Sequence, residues 1–430
     1  MRTKDLIAKR LRREKAQIRK QQNKKIESQK ELNTKKEQEY VLPEGFSEEV
    51  KKEVRKLPRH DIPQAEIMRR RDMRDILTFT IDPDEAKDFD DALSFQELES
   101  GNYQIGIHIA DVTHYVAEGT ALDEEAYHRG TSIYLVDKVI PMLPERLCNE
   151  LCSLRPHEDK LCFSAVFTLN ENGEIQDEWL GRTVIHSDRR FAYEEAQQVI
   201  ETGEGDYKEE ILTLNTLAQK LRSDRFKHGA IAFARDEVRF RLDEKGRPVG
   251  VYTKVQKEAN QLIEEFMLLA NRRVAEYCAH RISNGRKVPR PMVFRVHDEP
   301  SEDKLERFRD FALRFGHYFK AQKGRAVAKE MNKLLNTIAG SAEQNAITTL
   351  AVRSMAKAVY TTDNIGHYGL AFPYYTHFTS PIRRYPDMMV HRLLAAYLAG
   401  DKRADKKQLE ELCVHSTERE IVASEAERAS

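Results

Sequence analysis

Six acidic residues are crowded into ten positions of one segment, TFTIDPDEAKDFDDALSF at residues 78–95. The acidic positions are Asp82, Asp84, Glu85, Asp88, Asp90 and Asp91. Carboxylates this close repel one another, so each pKa would rise unless cations neutralise the cluster. The apolar flanks TFTI and ALSF predict a loop held between buried strands, where unpaired charge is expensive. The segment therefore predicts a metal site in preference to an acidic surface loop.

The residue count around Asp82 separates two metals. An EF-hand calcium loop starting there would have Ala86 at its fifth position, Lys87 where Gly is needed and Leu93 where a bidentate Glu is needed. Magnesium fits the pattern better, because it takes a few carboxylates, keeps waters and completes its shell with substrate phosphate oxygens. Two such ions about 4 Å apart would activate a water and stabilise the leaving oxygen in phosphodiester hydrolysis.

A second polar motif, HFTSPIRRYPD, carries two arginines near the predicted start of a helix. Ser380 and Pro381 have the residue types of an N-cap and a first helical position. Arg383 would then lie in the first turn, beside the positive end of the helix dipole, where a guanidinium can bind a phosphate. Its neighbour Arg384 is a weaker candidate for such a contact, and a salt bridge to a nearby acid is the structural alternative for Arg383.

Charge is distributed unevenly along a chain that is neutral overall. Residues 1–40 hold 14 Lys or Arg against 6 Asp or Glu, a net charge of +8, and the remainder therefore carries −8. This basic segment lacks Gly and Pro, and it predicts a solvated helix or a disordered arm. It could attract phosphates or have no specific partner.

Five cysteines form no CxxC pair and show no zinc-finger spacing, so neither a zinc module nor a disulfide framework is predicted. A reducing cytoplasm fits this usage. No stretch of the sequence approaches the roughly 20 apolar residues that cross a bilayer. We therefore expect a cytoplasmic protein without a membrane partner.

Strand-like runs precede helical runs along the chain. LTFTID, YQIGIHIAD, SIYLVD and FSAVFTLN favour strands, and later VRFRLD and PMVFRVHD do so as well. Apolar residues at helical spacing follow in AYEEAQQVI, EANQLIEEFMLLANRRVAEYCAH, KLERFRDFALRF and PDMMVHRLLAAYLAG. Segregated strands and helices predict an α+β fold.

At IDPDEAKDFDDAL the sequence resembles the signature of the RNase II/RNase R (RNB) family of exoribonucleases, an aspartate and five residues followed by DxDD. Over roughly residues 66–430 it is similar to further family blocks in the family's order: HIADVTHYV, TSIYLVDKVIPMLPERL, LCSLRP, EANQLIEEFMLLAN and HFTSPIRRYPDMMVHRLL. The resemblance implies a β-sheet core surrounded by helices, with a central RNA channel. We expect this catalytic domain to cover residues 76–430, after a basic helical or disordered extension at 1–40 and a lead-in segment at 41–75.

The resemblance implies roles for the acidic cluster and for one arginine. The family's four active-site aspartates match Asp82, Asp88, Asp90 and Asp91. Asp90 matches the one usually treated as essential for catalysis, and the others would chiefly hold Mg²⁺. Arg383 matches an arginine that stabilises the transition state by binding the scissile phosphate.

Further matches concern the RNA. Tyr134 matches a tyrosine that stacks on the terminal base, although an aromatic in a strand is, from its pattern alone, more often part of the core. Phe233 in GAIAF matches an aromatic that clamps the 3′ end, and Glu264 a carboxylate suited to the ribose 2′-OH, which only RNA offers. Glu427 matches a further catalytic-domain glutamate, with Glu425 as the alternative.

The implied reaction is magnesium-dependent, sequence-nonspecific removal of nucleoside 5′-monophosphates from the 3′ ends of single-stranded RNA, and no required protein partner is evident. Family members usually carry RNA-binding β-barrels on both sides of the catalytic domain, and this chain lacks them, so we expect a fragment or a minimal form. The rival function is a non-catalytic RNA-binding protein. Loss of any signature aspartate or of Arg383 would favour that rival, and all are present.

Overall fold

The chain divides into two compact units, of which the larger, Ser47–Arg428, contains the elements described below. The smaller, Met1–Phe46, is described only at residues 42, 43, 45 and 46, so the predicted extension at 1–40 lies outside the described residues, as does Phe233. The computed structural model describes residues 42–43, 45–58, 62–136, 138–232, 237–242, 248–283, 285–401 and 404–430.

A seven-stranded mixed sheet forms the centre of the larger unit. The strands in chain order are β1 Arg71–Asp72, β2 Thr78–Asp82, β3 Asp91–Glu97, β4 Tyr103–Ala110, β5 Ile133–Tyr134, β6 Val139–Ile140, β7 Asp159–Leu169, β8 Ile175–His186, β9 Arg189–Ala192, β10 Glu237–Leu242, β11 Pro248–Lys254, β12 His280–Ser283, β13 Arg286–Pro289, β14 Phe294–Val296 and β15 Val359–Thr361. The order across the sheet is β1-β8-β7-β4-β3-β2-β9. Strands β2, β3, β4, β7 and β8 pair antiparallel in succession, whereas β9 lies parallel to β2 and β1 parallel to β8. The remaining strands form separate two-stranded pairs.

The central strands are buried on both faces. In β4 the alternating residues Ile105, Ile107 and Ile109 have no exposed surface. On the opposite face His108 is also fully buried, and its two ring nitrogens lie 2.7 and 2.8 Å from the hydroxyls of Ser164 and Ser94. Burial lowers the pKa of His108 to about 3, so this imidazole is neutral. The sheet is therefore a rigid support for the residues at its ends.

Helices surround the sheet, as the resemblance implied. The helices in chain order are α1 Glu48–Lys56, α2 Gln64–Ile67, α3 Val112–Tyr115, α4 Ala121–Arg129, α5 Tyr193–Thr202, α6 Lys208–Lys227, α7 Glu258–Ala279, α8 Glu302–Arg314, α9 Gly324–Thr337, α10 Gln344–Ser354, α11 Tyr385–Leu398 and α12 Lys406–Ala429, with a π-helix at Arg146–Leu151 and a 3₁₀ turn at Tyr368–Leu370. The long α7 packs against both α5 and α6. The predicted α+β class and the central sheet with its helical surround are confirmed.

Helices α8, α9 and α10 are inserted between β14 and β15, two strands that pair with each other. These helices have a hydrophobic core of their own, which includes Leu305, Phe308, Val327, Met331 and Ile347. The amphipathic spacing of these residues explains why the segment folds as a helical unit on the side of the sheet domain.

No helix within the described part of the chain is long and apolar enough to cross a membrane.

Candidate active site

The four signature aspartates come together at one end of the central sheet. Strand β2 ends at Asp82, and the antiparallel β3 begins at Asp91, so both carboxylates flank the same end of neighbouring strands. Asp88 and Asp90 lie on the loop that joins these strands. In the adjacent parallel strand, Ala192 pairs with Asp82. The sequence spacing therefore becomes a compact acidic cluster because a single short loop connects two adjacent strands.

The second half of this loop is anchored by the LCSLRP segment. The Ser153 hydroxyl accepts a hydrogen bond from the amide of Phe89 at 3.0 Å and donates one to the carbonyl of Lys87 at 2.7 Å. The amide of Leu154 donates to the carbonyl of Phe89 at 3.0 Å. These contacts fix the backbone on both sides of Asp88, so the aspartates are presented by a constrained loop.

The first half of the loop is held from β9. The Arg190 guanidinium donates to the carbonyl of Pro83 at 2.6 Å and to that of Asp84 at 2.8 Å. The same guanidinium lies 5.6 Å from the centroid of the Phe89 ring. Asp84, which the family signature leaves variable, thus contributes its backbone to the anchoring of the loop.

Asp90 is buried and the other three aspartates are partly buried, without enough positive charge to balance them. Burial, with repulsion from Asp90 and Asp88, raises the pKa of Asp82 to about 7. Burial together with repulsion from Asp82 raises the pKa of Asp91 to about 8. The pKa of Asp90 is raised well above its usual value by burial, which Arg383 only partly offsets. The ionised cluster therefore requires an additional cation.

Arg383 and the backbone beside it face this cluster. The amide of Ile382 donates to Asp90 Oδ1 at 3.0 Å, and Arg383 Nε lies 3.7 Å from Asp90 Oδ2. The Arg383 side chain keeps 39% of its surface exposed and also donates to the Ser380 hydroxyl at 3.1 Å. An arginine that is half-exposed and next to an acidic cluster can contact an anion that binds there.

The helix that follows begins later than predicted. Ser380 and Pro381 are not its N-cap and first residue, and that prediction was wrong. Helix α11 starts at Tyr385, with Arg384 at the N-cap position and Pro386 in the first turn. The motif contains two prolines, and the second one is used at the helix start. Arg383 is therefore held by a turn that precedes the helix.

Asp387 explains the shape of that turn. This residue is fully buried, and its Oδ1 accepts a hydrogen bond from the amide of Ser380 at 2.8 Å. The same oxygen accepts one from the Arg384 guanidinium, also at 2.8 Å. The Arg384 side chain is 17% exposed, and its Nε is buried without a hydrogen-bond partner among the described residues. These contacts favour a structural role for Arg384, and its RNA contact remains a prediction.

The carboxylates of the acidic cluster can be compared with the ligands that a divalent cation requires. No group of three acidic, histidine or cysteine side chains within the described ranges is close enough to hold one ion. Asp82 Oδ2 is nevertheless buried without a hydrogen-bond partner in the described structure. A Mg²⁺ that takes one or two carboxylates and completes its shell with water and phosphate oxygens fits such a site.

Tyr134 and Glu427 are brought together, although they are far apart in sequence. Tyr134 is 42% exposed at the end of β5, and its backbone amide donates to Glu427 Oε1 at 3.1 Å. Burial of the phenol raises the pKa of Tyr134, with Asp88 and Asp90 among the charges that reinforce the shift. Tyr134 thus lies close enough to Asp88 and Asp90 for their charges to act on its phenol, and it keeps part of its surface exposed, as a stacking residue requires. Glu427 holds the backbone of this strand.

Glu264 lies on α7, and none of its described contacts involves an aspartate of the cluster. Its carboxylate contacts Arg225 at 3.4 Å and Arg222 at 4.0 Å, and its side chain is 39% exposed. Burial raises the pKa of Glu264, with a smaller contribution from Glu265. A carboxylate that is partly exposed and partly neutralised can still accept a hydrogen bond from a ribose hydroxyl.

Tyr193 also lies near the aspartates, and it was not among the predicted site residues. This residue is the first of α5 and follows Ala192, the strand partner of Asp82. Burial raises the pKa of its phenol, and the neighbouring charges of Asp91 and Asp82 reinforce the shift. The signal was the run FAYEEA, in which a strand ends and a helix begins beside a strand that ends in an aspartate. That run indicates a residue near Asp82 only once the parallel pairing of β2 and β9 is known.

Comparison with known proteins agrees with this fold. The RNB domain family matches residues 70–400. The chain is 40% identical over 397 residues to ribonuclease R of Aquifex aeolicus, a match that covers 90% of this chain and 55% of the relative. It therefore spans about half the length of the curated relatives it matches. A protein with this sheet and acidic cluster, and with these matches, belongs to the RNB family.

Solved structures give the same result. Mycoplasma genitalium RNase R in complex with ribose-methylated single-stranded RNA superimposes with a TM-score of 0.81 at 28% identity, over 90% of this chain and 61% of that one. Yeast Ssd1, described as a pseudonuclease, matches with a TM-score of 0.71 at 24% identity, over 86% of this chain and 45% of that one. The fold alone therefore occurs with and without nuclease activity, so it does not decide the function of this chain.

Proposed function

We propose that this chain is a 3′-to-5′ exoribonuclease that hydrolyses single-stranded RNA to nucleoside 5′-monophosphates with Mg²⁺. Membership of the RNB family and similarity to ribonuclease R support the reaction class. The catalytic domain would cover residues 76–430. The cytoplasmic location predicted from cysteine usage fits the five cysteines, all of which are buried and unpaired.

One observation carries the proposal. Asp90 belongs to the acidic cluster and also contacts the turn that carries Arg383. Its carboxylate accepts a hydrogen bond from the amide of Ile382 and lies at ion-pairing distance from the guanidinium of Arg383. An acidic cluster that binds cations and an arginine that binds phosphate are the two components that phosphodiester hydrolysis needs. The 3.0 Å hydrogen bond from Ile382 and the 3.7 Å approach of Arg383 to Asp90 support the assignment of both components to one site.

The proposed roles follow from these positions. Asp82, Asp88, Asp90 and Asp91 would hold Mg²⁺, which supplies a water of lowered pKa and charge neutralisation at the phosphate when it is bound. Arg383 would bind a non-bridging oxygen of the scissile phosphate as negative charge develops there.

Other residues would position the RNA. The exposed ring of Tyr134 would stack on the terminal base, and such stacking contributes about 1–3 kcal/mol for any base. Glu264 would accept a hydrogen bond from a ribose 2′-OH, and Phe233 would clamp the 3′ end. Glu427 would position Tyr134 through its backbone amide. Because stacking and phosphate contacts do not read base identity, we expect little sequence preference.

The alternative is a protein that binds RNA without cleaving it, and the fold shared with a pseudonuclease is the observation that favours it. Such a protein has no need of buried, mutually repelling carboxylates, whose ionisation is costly without a cation. This chain keeps all four signature aspartates and Arg383. Their retention favours catalysis.

The test uses the whole chain with 5′-labelled single-stranded RNA and Mg²⁺, beside an Asp90→Asn variant. We expect progressive shortening from the 3′ end, release of nucleoside 5′-monophosphates detected by chromatography, and loss of both in the variant. Tight RNA binding without shortening by the folded, unmutated chain would support the non-catalytic alternative. Release of internal fragments would contradict the exonucleolytic reaction.

A further inference from the structure

Residues 130–132, which connect α4 to β5, pair with the segment at the start of α11. Thr131 and Arg384 form an antiparallel bridge. Next to it, the amide of Tyr385 donates a hydrogen bond to the carbonyl of Gly130 at 2.9 Å. Two parts of the chain that are distant in sequence are therefore joined here through their backbones.

The carbonyl of Arg383 is the acceptor at the centre of this pairing. It accepts a hydrogen bond from the amide of Ser132 at 3.0 Å and a second one from the Thr131 hydroxyl, also at 3.0 Å. A carbonyl oxygen has two lone pairs, so both bonds can form together. The Thr131 hydroxyl lies farther, at 3.3 Å, from the carbonyl of Ser132. Because Asp90 holds the amide of Ile382, the backbone is fixed on both sides of Arg383.

A glycine makes this pairing possible. Gly130 is the C-cap residue of α4 and has a φ of 68°. A Cβ atom at this position would lie only 2.5 Å from the Cβ atom of Arg419 on α12. Glycine tolerates both the positive φ and the close approach of the neighbouring helix. The chain can therefore leave α4 abruptly and continue beside the turn that carries Arg383.

Side chains join the same two parts of the chain a second time. Asp123, a buried residue of α4, accepts hydrogen bonds at its Oδ1 from the Tyr385 hydroxyl at 3.1 Å and from the Arg392 guanidinium at 2.7 Å. Both donors belong to α11. Separation of a buried ion pair is costly, because it leaves an unpaired charge in the protein. Helices α4 and α11 therefore hold the paired segments together.

Tyr134 lies on the same stretch of chain as Thr131. The residues between them are almost fully extended, so the two positions are about 10 Å apart. The backbone amide of Tyr134 is in turn held by Glu427. The ring proposed to stack on the terminal base and the guanidinium of Arg383 are thus carried by two paired segments of the main chain.

We propose that Thr131 is a positioning residue for hydrolysis, because its hydroxyl holds the Arg383 carbonyl and so fixes the separation between this arginine and Tyr134. The inference rests on the proposed function, since it assumes that Arg383 binds the scissile phosphate. The two side chains would contact the same 3′-terminal nucleotide, one at its base and the other at the phosphate on its 5′ side. Without the hydroxyl the nucleotide would still bind, but its phosphate would be misplaced, and a displacement of about 1 Å can cost about 10²-fold in rate.

Thr131 offers a cleaner test of this pairing than Ser132 does. The Ser132 hydroxyl accepts a hydrogen bond from the amide of Met142 at 2.9 Å and thereby also holds the β5–β6 pair. Thr131→Val keeps the shape of the side chain and removes the donor, Thr131→Ser keeps the donor, and Thr131→Ala is a second variant without it. Thr216→Val is the matched control, because this exposed hydroxyl donates to the carbonyl of Leu212 in its own helix at 2.9 Å.

The test measures single-turnover cleavage of 5′-labelled single-stranded RNA by the whole chain, together with RNA affinity by fluorescence anisotropy. We expect Thr131→Val and Thr131→Ala to cleave about tenfold more slowly than Thr216→Val, with RNA affinity changed by less than about twofold. Thr131→Ser should recover most of the rate. The Mg²⁺ concentration that gives half the maximal rate should stay the same, because the acidic cluster is not altered.

An Arg383→Lys background tests whether Thr131 acts through the arginine. Lysine keeps the positive charge but lacks the planar fork that binds a phosphate at two points. In this background Thr131→Val should lower the rate further by less than about twofold, since the group that it positions is absent. A further loss of about tenfold would show an effect that does not depend on the arginine, and it would overturn the inference.

Cleavage by Thr131→Val at the rate of the control would also overturn the inference, as would a Thr131→Ser chain that recovers none of the lost rate. Failure of the proposed function has a different signature. In that case neither the unmutated chain nor Thr216→Val would shorten RNA, and the positioning role would fall with the reaction. Equal shortening by the unmutated chain and by Thr131→Val would leave the exonuclease standing and remove only the role of Thr131.

Discussion

The carboxylate of Asp90 accepts a hydrogen bond from the backbone amide of Ile382 at 3.0 Å, although the two residues are 292 positions apart in sequence. This bond fixes the acidic loop against the turn that carries Arg383. Carboxylates that bind a metal are commonly oriented by such hydrogen bonds, so the bond is compatible with a metal ligand at Asp90. The contact therefore sets the distance between the cation site and the arginine, which together must hold one phosphate.

Replacement of Asp90 by Asn should reduce hydrolysis and still preserve the hydrogen bond from Ile382. The amide oxygen of Asn can still accept the hydrogen bond from Ile382, but the neutral side chain binds cations poorly. We expect hydrolysis to fall by at least about 10²-fold, while RNA affinity changes little. Single-turnover cleavage measures the first quantity and anisotropy the second. An Asp90→Asn chain that cleaves at the normal rate would contradict the assignment of this carboxylate.

Substitution of Arg383 and substitution of Arg384 should have different effects on stability. Arg384→Gln would leave Asp387 buried with its charge unpaired, so we expect a loss of about 3–5 kcal/mol in the free energy of unfolding. Arg383 is 39% exposed and 3.7 Å from Asp90, so Arg383→Gln should change stability by less than about 1 kcal/mol and still abolish hydrolysis.

Urea unfolding of the two variants, with cleavage assays on the folded protein, tests this contrast. Each arginine serves as the control for the other. Equal destabilisation by both substitutions would show that Arg383 is also structural, and retained cleavage in Arg383→Gln would remove its proposed contact with the phosphate.

Ser153 should affect catalysis without contacting substrate. Ser153→Ala removes both hydrogen bonds to the backbone of Lys87 and Phe89, and it leaves a buried amide unsatisfied at a cost of about 1–3 kcal/mol. The loop would lose its constraint, so we expect kcat to fall more than tenfold with little change in RNA affinity. Ser416→Ala is the matched control, because this buried hydroxyl donates only to a carbonyl of its own helix. A drop in kcat equal to that of the control would mean that the loop is held by other contacts.

Rescue distinguishes positioning from general loss of stability. Ser153→Thr retains the hydroxyl and should recover most of the lost rate, whereas Ser153→Cys should recover less because a thiol is a weaker donor and acceptor. Unchanged activity across the whole series would contradict a positioning role.

Local patterns were sufficient to predict the elements and the acidic cluster. The alternation around Ile105 and Ile107 identified a strand, and the spacing of Asp82, Asp88, Asp90 and Asp91 identified the acidic cluster, because both signals lie within a few residues. The metal site at this cluster stays a prediction. The start of α11 was predicted wrongly since Asp387 reaches back to the amide of Ser380. That tertiary contact overrides the capping preference of the serine.

Such local patterns could not predict contacts between segments that are distant in sequence. Nothing local indicates that Ser153 anchors the loop at Phe89 or that Glu427 accepts a hydrogen bond from Tyr134. Tyr193 was missed for the same reason, because its position depends on the pairing of two parallel strands. The family resemblance supplied Glu427, whereas the folded structure was needed for the other two.

The raised pKa values of two aspartates predict how the metal-free protein responds to pH. Burial raises the pKa of Asp82 to about 7 and that of Asp91 to about 8, against about 3.9 for an aspartate in an unfolded chain. At pH values between about 3.9 and about 8, the folded state therefore binds more protons than the unfolded state. As far as these groups are concerned, the free energy of unfolding should therefore be greatest at and below about pH 4, and it should fall as pH rises towards 8.

Replacement of one of these carboxylates by a neutral amide should remove part of this loss of stability at high pH. In the presence of a chelator we expect Asp91→Asn to raise the free energy of unfolding at pH 8 by on the order of 2 kcal/mol and to have little effect at pH 5. Mg²⁺ should stabilise the unmutated chain more at pH 8 than at pH 5, because binding must displace protons from the carboxylates. The exposed Asp75→Asn provides the control, and thermal unfolding across this pH range measures each effect. If Asp91→Asn were instead destabilising with chelator at pH 8, the carboxylate would have to be neutralised by the protein itself, and the case for a cation at this end of the sheet would fail.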